Sequence, residues 1–153
     1  MSDYSGSGVY ELVPMNAQDM SLNVWGGAQS PGTQVKLYPR TASARNTQFA
    51  IVAAGGTQGK AEKGDREYLI IACNSGLYVA ANDAMQVTTE LRSPLDLSVR
   101  WKLQHAGNGA FYINNVGTGK QLNVRGGYKE SGTEIITYML TENGNAQFVL
   151  KAL

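Results

Sequence analysis

The sequence is poor in the residues on which catalysis, metal binding and disulfide cross-links most often depend. Its 153 residues include one cysteine and one histidine. A single cysteine excludes an intrachain disulfide, and Cys73 and His105 together supply too few ligands for a tetrahedral zinc site. Neither residue belongs to a catalytic motif. We therefore expect no enzymatic activity, no metal site and no cofactor.

Charge is also scarce, and it is not clustered. Charged residues make up 16% of the chain and the formal net charge is +1, whereas an ordinary soluble domain has roughly 25% charged residues. The scattered lysines and arginines argue against a nucleic-acid partner. No apolar run approaches the ~18 residues of a membrane-spanning helix, and the initial MSDYSGSG lacks the features of a secretion signal. We expect a cytoplasmic protein without membrane insertion.

Glycine, in contrast, is abundant, and two glycine pairs lie in a repeated phrase. SLNVWGG at 21–27 returns as QLNVRGG at 121–127. A match over nearly thirty residues indicates duplication, and two copies a hundred residues apart leave room for one between them. The positions that match beyond the phrase are Gly32-Thr33 with Gly132-Thr133, Tyr38 with Tyr138, Asn46 with Asn145, and Phe49 with Phe148.

A middle copy is found in GLYVAAND at 76–83 and SVRWKL at 98–103. Apolar residues alternate in all three copies as they do in half-buried strands, and glycine-rich turns separate the runs. The alignment places Leu77 and Val79 at the positions of Leu22 and Val24, and Trp101 at the position of Phe49.

Three copies of four short strands predict an all-β fold, a β-trefoil, formed by one domain over residues 1–153. The copies span about 8–56, 66–106 and 109–153. One copy cannot bury its own apolar face, whereas three around an axis share a core, and a closed barrel leaves no open sheet edge. A four-bladed propeller, which needs four copies, and a two-sheet sandwich, which needs no threefold repeat, are the alternatives.

The repeated pattern resembles that of the ricin-B-type β-trefoil lectins, and especially the small disulfide-free fungal agglutinins. It reads Leu-Asn-Val-x-Gly-Gly, then Gly-Thr, then Tyr, then Asn-x-x-aromatic. The resemblance implies a lectin without enzymatic activity that binds glycans ending in galactose or N-acetylgalactosamine. It also implies a homodimer and a role in fungal defence. The family's Gln-x-Trp signature corresponds here to Thr47-Gln48-Phe49, Val99-Arg100-Trp101 and Ala146-Gln147-Phe148.

The family pattern places a carbohydrate site in the first copy. Its first polar anchor corresponds to Asn23, its stacking aromatic to Tyr38 and its second anchor to Asn46. Amides both donate and accept hydrogen bonds to adjacent sugar hydroxyls, and an aromatic ring covers the C–H face. Alternatively, the double glycine only forms a turn and Asn46 only closes it. The candidate site comprises Asn23, Trp25, Gly26, Gly27, Lys36, Tyr38, Arg40 and Asn46.

The third copy keeps the anchors and the tyrosine but not the basic residues, since Ile136 replaces Lys36 and Leu140 replaces Arg40. We predict a possible second carbohydrate site there. The middle copy has Tyr78 at the first anchor and Ser98 at the second, so we expect no site in it. The second candidate site comprises Asn123, Arg125, Gly126, Gly127, Tyr138 and Asn145.

A function of a different class stays open, because β-trefoils also serve as protease inhibitors that insert long loops into an enzyme cleft. The candidate inserts are TQGKAEKGDRE at 57–67 and ELRSPLD at 90–96. An inhibitor does not need the anchor set of the first copy. That set therefore favours the lectin.

Overall fold

The computed structural model describes residues 2, 4–41, 43–56 and 66–153, and almost all regular structure in these residues is β-strand. No helix among them is long and apolar enough to cross a bilayer. The twelve strands of the described residues are β1 Gly8–Pro14, β2 Met20–Val24, β3 Thr33–Pro39, β4 Phe49–Gly56, β5 Arg66–Ala72, β6 Tyr78–Ala81, β7 Val87–Glu90, β8 Arg100–His105, β9 Phe111–Asn115, β10 Gln121–Val124, β11 Ile135–Tyr138 and β12 Phe148–Ala152.

Six of these strands close a barrel. Each pairs antiparallel with two neighbours, in the order β1, β4, β5, β8, β9, β12 and back to β1. The other six form the hairpins β2–β3, β6–β7 and β10–β11. Four strands from each third of the chain, two in the barrel and two in a hairpin, make a β-trefoil. The predicted fold class is therefore confirmed.

The three hairpins hold one another through backbone hydrogen bonds. Gly32 N donates to Thr89 O at 2.8 Å, Leu37 N donates to Thr133 O at 2.8 Å, and Thr137 N donates to Met85 O at 3.0 Å. These bonds link copy one to two, three to one, and two to three. Each hairpin connection therefore lies beside the strands of another copy, and this arrangement decides what surrounds each candidate site.

The core lies inside the barrel and under the hairpins, and all three copies contribute to it. Phe49, Trp101 and Phe148 are fully buried, and each begins or lies next to the start of the last strand of its copy. Trp101 also donates its indole N–H to the carbonyl oxygen of Val79 at 3.0 Å. The alignment of Trp101 with the two phenylalanines is confirmed.

The alignment at the start of the middle copy was wrong by two residues. The carbonyl of Thr89 accepts a hydrogen bond from Gly32, as that of Leu37 does from Gly132. Val79 pairs with Thr89 as Leu22 pairs with Leu37. Val79 therefore occupies the position of Leu22 and not that of Val24. Because side chains alternate with a period of two, a shift of two residues leaves the apolar pattern of a strand unchanged.

The same register shows that the sequence alignment assigned the wrong residue to the first anchor position of the middle copy. Ala80, and not Tyr78, occupies the position of Asn23, and Ala80 is fully buried. Glu90 occupies the position of Tyr38. The middle copy therefore lacks both the first amide and the aromatic ring of the pattern.

Candidate functional site

The first site is built on one face of the β2–β3 hairpin. Asn23 lies directly opposite Lys36, and Ser21 lies opposite Tyr38. Residues directly opposed in an antiparallel pair point to the same side of the sheet. Asn23 is 5% exposed, whereas Tyr38 at the end of β3 is 43% exposed. The strand pairing thus places a nearly buried amide beside an accessible ring.

The turn Trp25–Gly27 lies against the second amide, Asn46, which the turn Arg45–Thr47 carries. Gly26 and Gly27 have φ angles of +66° and +68°, a left-handed conformation that residues with a Cβ rarely adopt. A Cβ placed on Gly27 would lie 3.8 Å from Nδ2 of Asn46. The glycine pair is therefore both a turn and a close approach to the predicted anchor.

Asn46 and Asn23 form a hydrogen-bonded amide pair. Nδ2 of Asn46 donates to Oδ1 of Asn23 and to the carbonyl oxygen of Val24, both at 3.1 Å. Among the described residues no partner is found for Nδ2 of Asn23 or Oδ1 of Asn46. The pair therefore offers one donor and one acceptor side by side, as two neighbouring hydroxyl groups require.

Two aromatic rings form a wall beside this pair. The rings of Trp25 and Tyr38 meet edge to face with centroids 6.0 Å apart, and Nζ of Lys36 lies 5.1 Å from the Trp25 ring centroid. A cavity of about 410 Å³ lies between the wall and the amides, and it is lined by Asn23, Trp25, Gly26, Tyr38 and Asn46. Most of the residues proposed for copy one are thus brought together.

Arg40 is the member of the first set that the structure directs elsewhere. Its guanidinium donates to both carboxylate oxygens of Glu11, at 2.9 and 3.3 Å. Glu11 is 1% exposed, and its hydrogen bonds raise the pKa of Arg40 above the usual value. Arg40 does not line the cavity. Its role in the described structure is to neutralise a buried carboxylate.

The third copy repeats the amide pair. Nδ2 of Asn145 donates to Oδ1 of Asn123 at 3.3 Å and to the carbonyl oxygen of Val124 at 2.9 Å. Gly126 and Gly127 again have φ angles near those of the first copy, +64° and +69°. Tyr138 is 42% exposed. The backbone and the polar groups of the two sites are therefore alike.

The cavity of the third copy is about twice as large, at about 860 Å³. Arg125 lines it and forms an exposed ion pair with Glu134 at 3.0 Å. Residues that the sequence analysis did not assign to a site also line it, and they come from other turns and from the middle copy. None of them lies in a local motif that indicates a site. They include Asn16, Ala84, Met85, Gln86, Tyr128, Thr141 and Asn143.

The middle copy has no amide pair. Ser98 occupies the position of Asn46 in the turn Leu97–Val99, where its hydroxyl accepts from Arg92 and donates to Asp96, both at 2.7 Å. Hydrogen bonds from the hydroxyl and backbone N–H of Ser98 lower the pKa of Asp96. Within the described ranges, no group of three or more His, Cys, Asp or Glu side chains forms a metal site.

The fold and the two amide sites define the class as a β-trefoil lectin, and comparisons with known proteins agree. The family described as "Ricin-type beta-trefoil lectin domain-like" matches residues 45–138. An agglutinin from Sclerotinia sclerotiorum is 34% identical over 142 residues, which cover 88% of each chain. The chain therefore belongs to the ricin-type β-trefoil lectin family. It is a carbohydrate-binding lectin.

Solved structures show the same architecture. The designed threefold-symmetric protein ThreeFoil superimposes with a TM-score of 0.83 at 25% identity, covering 95% of this chain and 99% of that protein. The C-terminal half of an earthworm R-type lectin, solved in complex with N-acetylgalactosamine, superimposes with a TM-score of 0.71 at 15% identity and covers 95% and 99%. The second likeness concerns the fold alone.

Proposed function

We propose that this lectin binds glycans ending in galactose or N-acetylgalactosamine through its first and third copies, without enzymatic activity. The observation that carries the proposal is the amide pair, Asn23 with Asn46 and Asn123 with Asn145, beside an exposed tyrosine. The axial 4-hydroxyl of galactose leaves one face of the ring rich in C–H groups. That face suits an aromatic ring, while the amides bind the adjacent hydroxyls.

The earthworm lectin supports the choice of sugar, since its structure contains N-acetylgalactosamine in the same fold. One such site binds a free monosaccharide weakly, with a dissociation constant of about 1 mM or about −4 kcal/mol. Several sites on one particle raise the avidity for a cell surface through effective concentration. We therefore propose a cytoplasmic homodimer that cross-links glycans in fungal defence, a role consistent with its agglutinin relative.

Removal of the second anchors tests the proposal. We expect wild-type protein to be retained on galactose-agarose and to elute with free galactose. Asn46→Ala and Asn145→Ala each remove the amide that holds the first anchor, so each single variant should be retained less and the double variant not at all. Ser98→Ala, at the equivalent position of the middle copy, is the matched control and should behave like wild type.

Circular dichroism and thermal unfolding separate loss of binding from loss of fold. Each asparagine contributes two hydrogen bonds that link the turn to the strand, so we expect its removal to cost about 1–2 kcal/mol without unfolding the chain. A folded double variant that is still retained and eluted by galactose would refute the proposed sites.

Protease inhibition is the second candidate function. It is favoured by one observation, which is that Leu91 and Leu95 in the 90–96 segment are 74% and 78% exposed. Of the other proposed insert, 57–67, residues 57–65 lie outside the described residues. Inhibition of papain by wild-type protein, lost in Leu91→Ala/Leu95→Ala but kept in the double asparagine variant, would favour this function over the lectin.

A further inference from the structure

The connection after β6 is unusually short, and it is well fixed. It consists of residues 82–86, whereas the corresponding connections of the other hairpins run over 25–32 and 125–134. Oδ1 of Asn82 accepts hydrogen bonds from the backbone N–H of Ala84 at 2.9 Å and of Gln86 at 3.0 Å. Met85 has a φ angle of +64°, and its side chain is 37% exposed.

This short connection lies against the third site. Met85 O accepts the hydrogen bond from Thr137 N, and Gln86 pairs with Ile136 across the gap between the copies. Ile136 in turn pairs with the anchor Asn123. The row Asn123, Ile136, Gln86 therefore spans two inter-strand spacings, about 10 Å. That distance is comparable to the length of two linked pyranose rings.

At the first site the corresponding row is Asn23, Lys36, Glu134. Glu134 ends the longer connection 125–134, which lies close to the aromatic wall. A Cβ placed on Gly132 would lie 3.6 Å from Cη2 of Trp25. The connection 125–134 therefore covers one side of the first site. At the third site the shorter connection 82–86 leaves the corresponding side open. The cavity volumes agree with this difference, since the first site has about 410 Å³ and the third about 860 Å³.

The floor of the third site is also chemically different. Ile136 replaces Lys36, so an apolar side chain that is 7% exposed stands where the first site has an ammonium group. Met85 beyond it offers a flexible apolar surface for the C–H face of a ring. Gln86 adds an amide, whose Oε1 lies 3.5 Å from Nδ2 of Asn82. This row, from Ile136 to Gln86, carries no charge.

We propose that the third site binds at least two linked sugars, whereas the first binds a terminal sugar only. The terminal sugar lies on Asn123, Asn145 and Tyr138, and an uncharged second pyranose, a hexose or an N-acetylhexosamine, lies on Met85 and Gln86. This inference rests on the proposed function and deepens it. It gives the two sites of one chain different preferences for glycan length.

The test uses single-site proteins and two probes, methyl β-galactoside and N-acetyllactosamine, in which galactose is linked to N-acetylglucosamine. Asn46→Ala leaves the third site, and Asn145→Ala leaves the first. By isothermal titration calorimetry we expect the third site to bind the disaccharide about tenfold tighter than the monosaccharide, a difference of about 1.4 kcal/mol. The first site should bind both with equal affinity.

A further substitution assigns the gain to the short connection. Met85→Gly in the Asn46→Ala protein removes the side chain and keeps a backbone conformation that glycine adopts freely. We expect its disaccharide affinity to fall about tenfold, to the monosaccharide value, with the monosaccharide affinity unchanged. Gln86→Ala is the second variant and should lower disaccharide affinity in the same direction. Leu95→Gly, another exposed apolar side chain outside the cavity, is the control and should change neither affinity.

The outcomes separate this inference from the function on which it rests. Equal affinity of the Asn46→Ala protein for both probes would overturn the inference while the galactose function stands. Binding of galactoside by wild type but not by folded Asn46→Ala would also overturn it and leave the first site as the lectin site. Loss of disaccharide preference in Leu95→Gly as well as in Met85→Gly would overturn the assignment to the short connection. A wild-type protein that binds neither probe, nor N-acetylgalactosamine, would refute both proposals.

Discussion

Asn46 supports the fold and presents a functional group with the same side chain. Its Nδ2 holds the turn Arg45–Thr47 to the end of β2 through Asn23 and Val24. Its Oδ1 is then fixed in position beside the cavity. A ligand that binds there meets a group already ordered by the protein, so binding costs little side-chain entropy. The two interpretations of this asparagine, a turn residue and a sugar anchor, are therefore compatible.

The two tryptophans allow the first site to be observed directly. Trp25 lines the cavity and is 36% exposed, whereas Trp101 is fully buried in the core. We expect galactose to cause a saturable change in intrinsic fluorescence, because the sugar displaces water from the Trp25 ring. Trp25→Phe should abolish this change and Trp101→Phe should retain it. The opposite pattern would contradict a site at Trp25.

The ion pair between Arg40 and Glu11 leads to a prediction about the free energy of unfolding. Its removal leaves the buried carboxylate of Glu11 without its cation, and breaking a fully buried pair costs roughly 3–5 kcal/mol. Since the side chain of Arg40 is 37% exposed, solvent screens part of this pair, and we expect Arg40→Ala to lose about 2 kcal/mol. Urea unfolding of wild type and Arg40→Ala measures this loss in the free energy of unfolding. Arg45→Ala, a control that breaks no ion pair with a carboxylate in the described residues, should lose less than about 0.5 kcal/mol.

Among the elements, the glycine turns receive support from a different copy. Nδ2 of Asn74 donates to the carbonyl oxygen of Gly27 at 3.1 Å, and Nδ2 of Asn16 donates to that of Gly127 at 3.0 Å. Each asparagine lies in the turn after the first strand of its copy. Both candidate sites therefore depend on contacts between copies as well as on their own hairpin.

The glycine turns also give a matched pair of substitutions. A Cβ on Gly26 meets no atom within 4 Å, whereas one on Gly126 would lie 2.6 Å from the ring of Tyr128. Both alanines adopt a left-handed φ, so we expect Gly26→Ala and Gly126→Ala each to lose about 1–2 kcal/mol in urea unfolding.

Only Gly126→Ala has to displace Tyr128, which lines the larger cavity and is 61% exposed. We therefore expect calorimetry to show weaker disaccharide binding at the third site in Gly126→Ala and unchanged binding at that site in Gly26→Ala. Equal effects of the two variants on the third site would contradict the expectation that moving the Tyr128 ring alters the cavity in which the disaccharide binds.

At the scale of the molecule, the threefold arrangement makes one core out of three unequal copies. Phe49, Trp101 and Phe148 occupy equivalent buried positions, so a phenylalanine has the right shape for each. Trp101→Phe nevertheless removes ring atoms from the core and the indole N–H that Val79 O accepts. We expect a loss of about 2–3 kcal/mol in thermal or urea unfolding. Trp25→Phe, at the exposed site, should change stability by less than about 0.5 kcal/mol.

The fold was predictable because the pattern of strands and turns that forms it occurs three times in the sequence. Alternating apolar residues such as Leu22 and Val24 indicate strands, and the repeat of their phrase indicates threefold packing. The amide anchors and Tyr38 and Tyr138 were found by the family pattern, which depends on spacing along the chain. The same pattern misaligned the middle copy, since a strand shifted by two residues keeps its buried face.

The sequence by itself determined which residues form the strands and the glycine turns, because those features depend on local conformation. The four asparagines of the two sites were identified by the family pattern, and their pairing by hydrogen bonds was seen only in the tertiary structure. Only the tertiary structure decided that Arg40 turns to Glu11 and that Met85 and Gln86 border the third site. Those contacts join different strands or different copies, and their positions follow from barrel closure and the docking of one hairpin on the next. The alternation of apolar residues and the repeat spacing contain no information about these contacts.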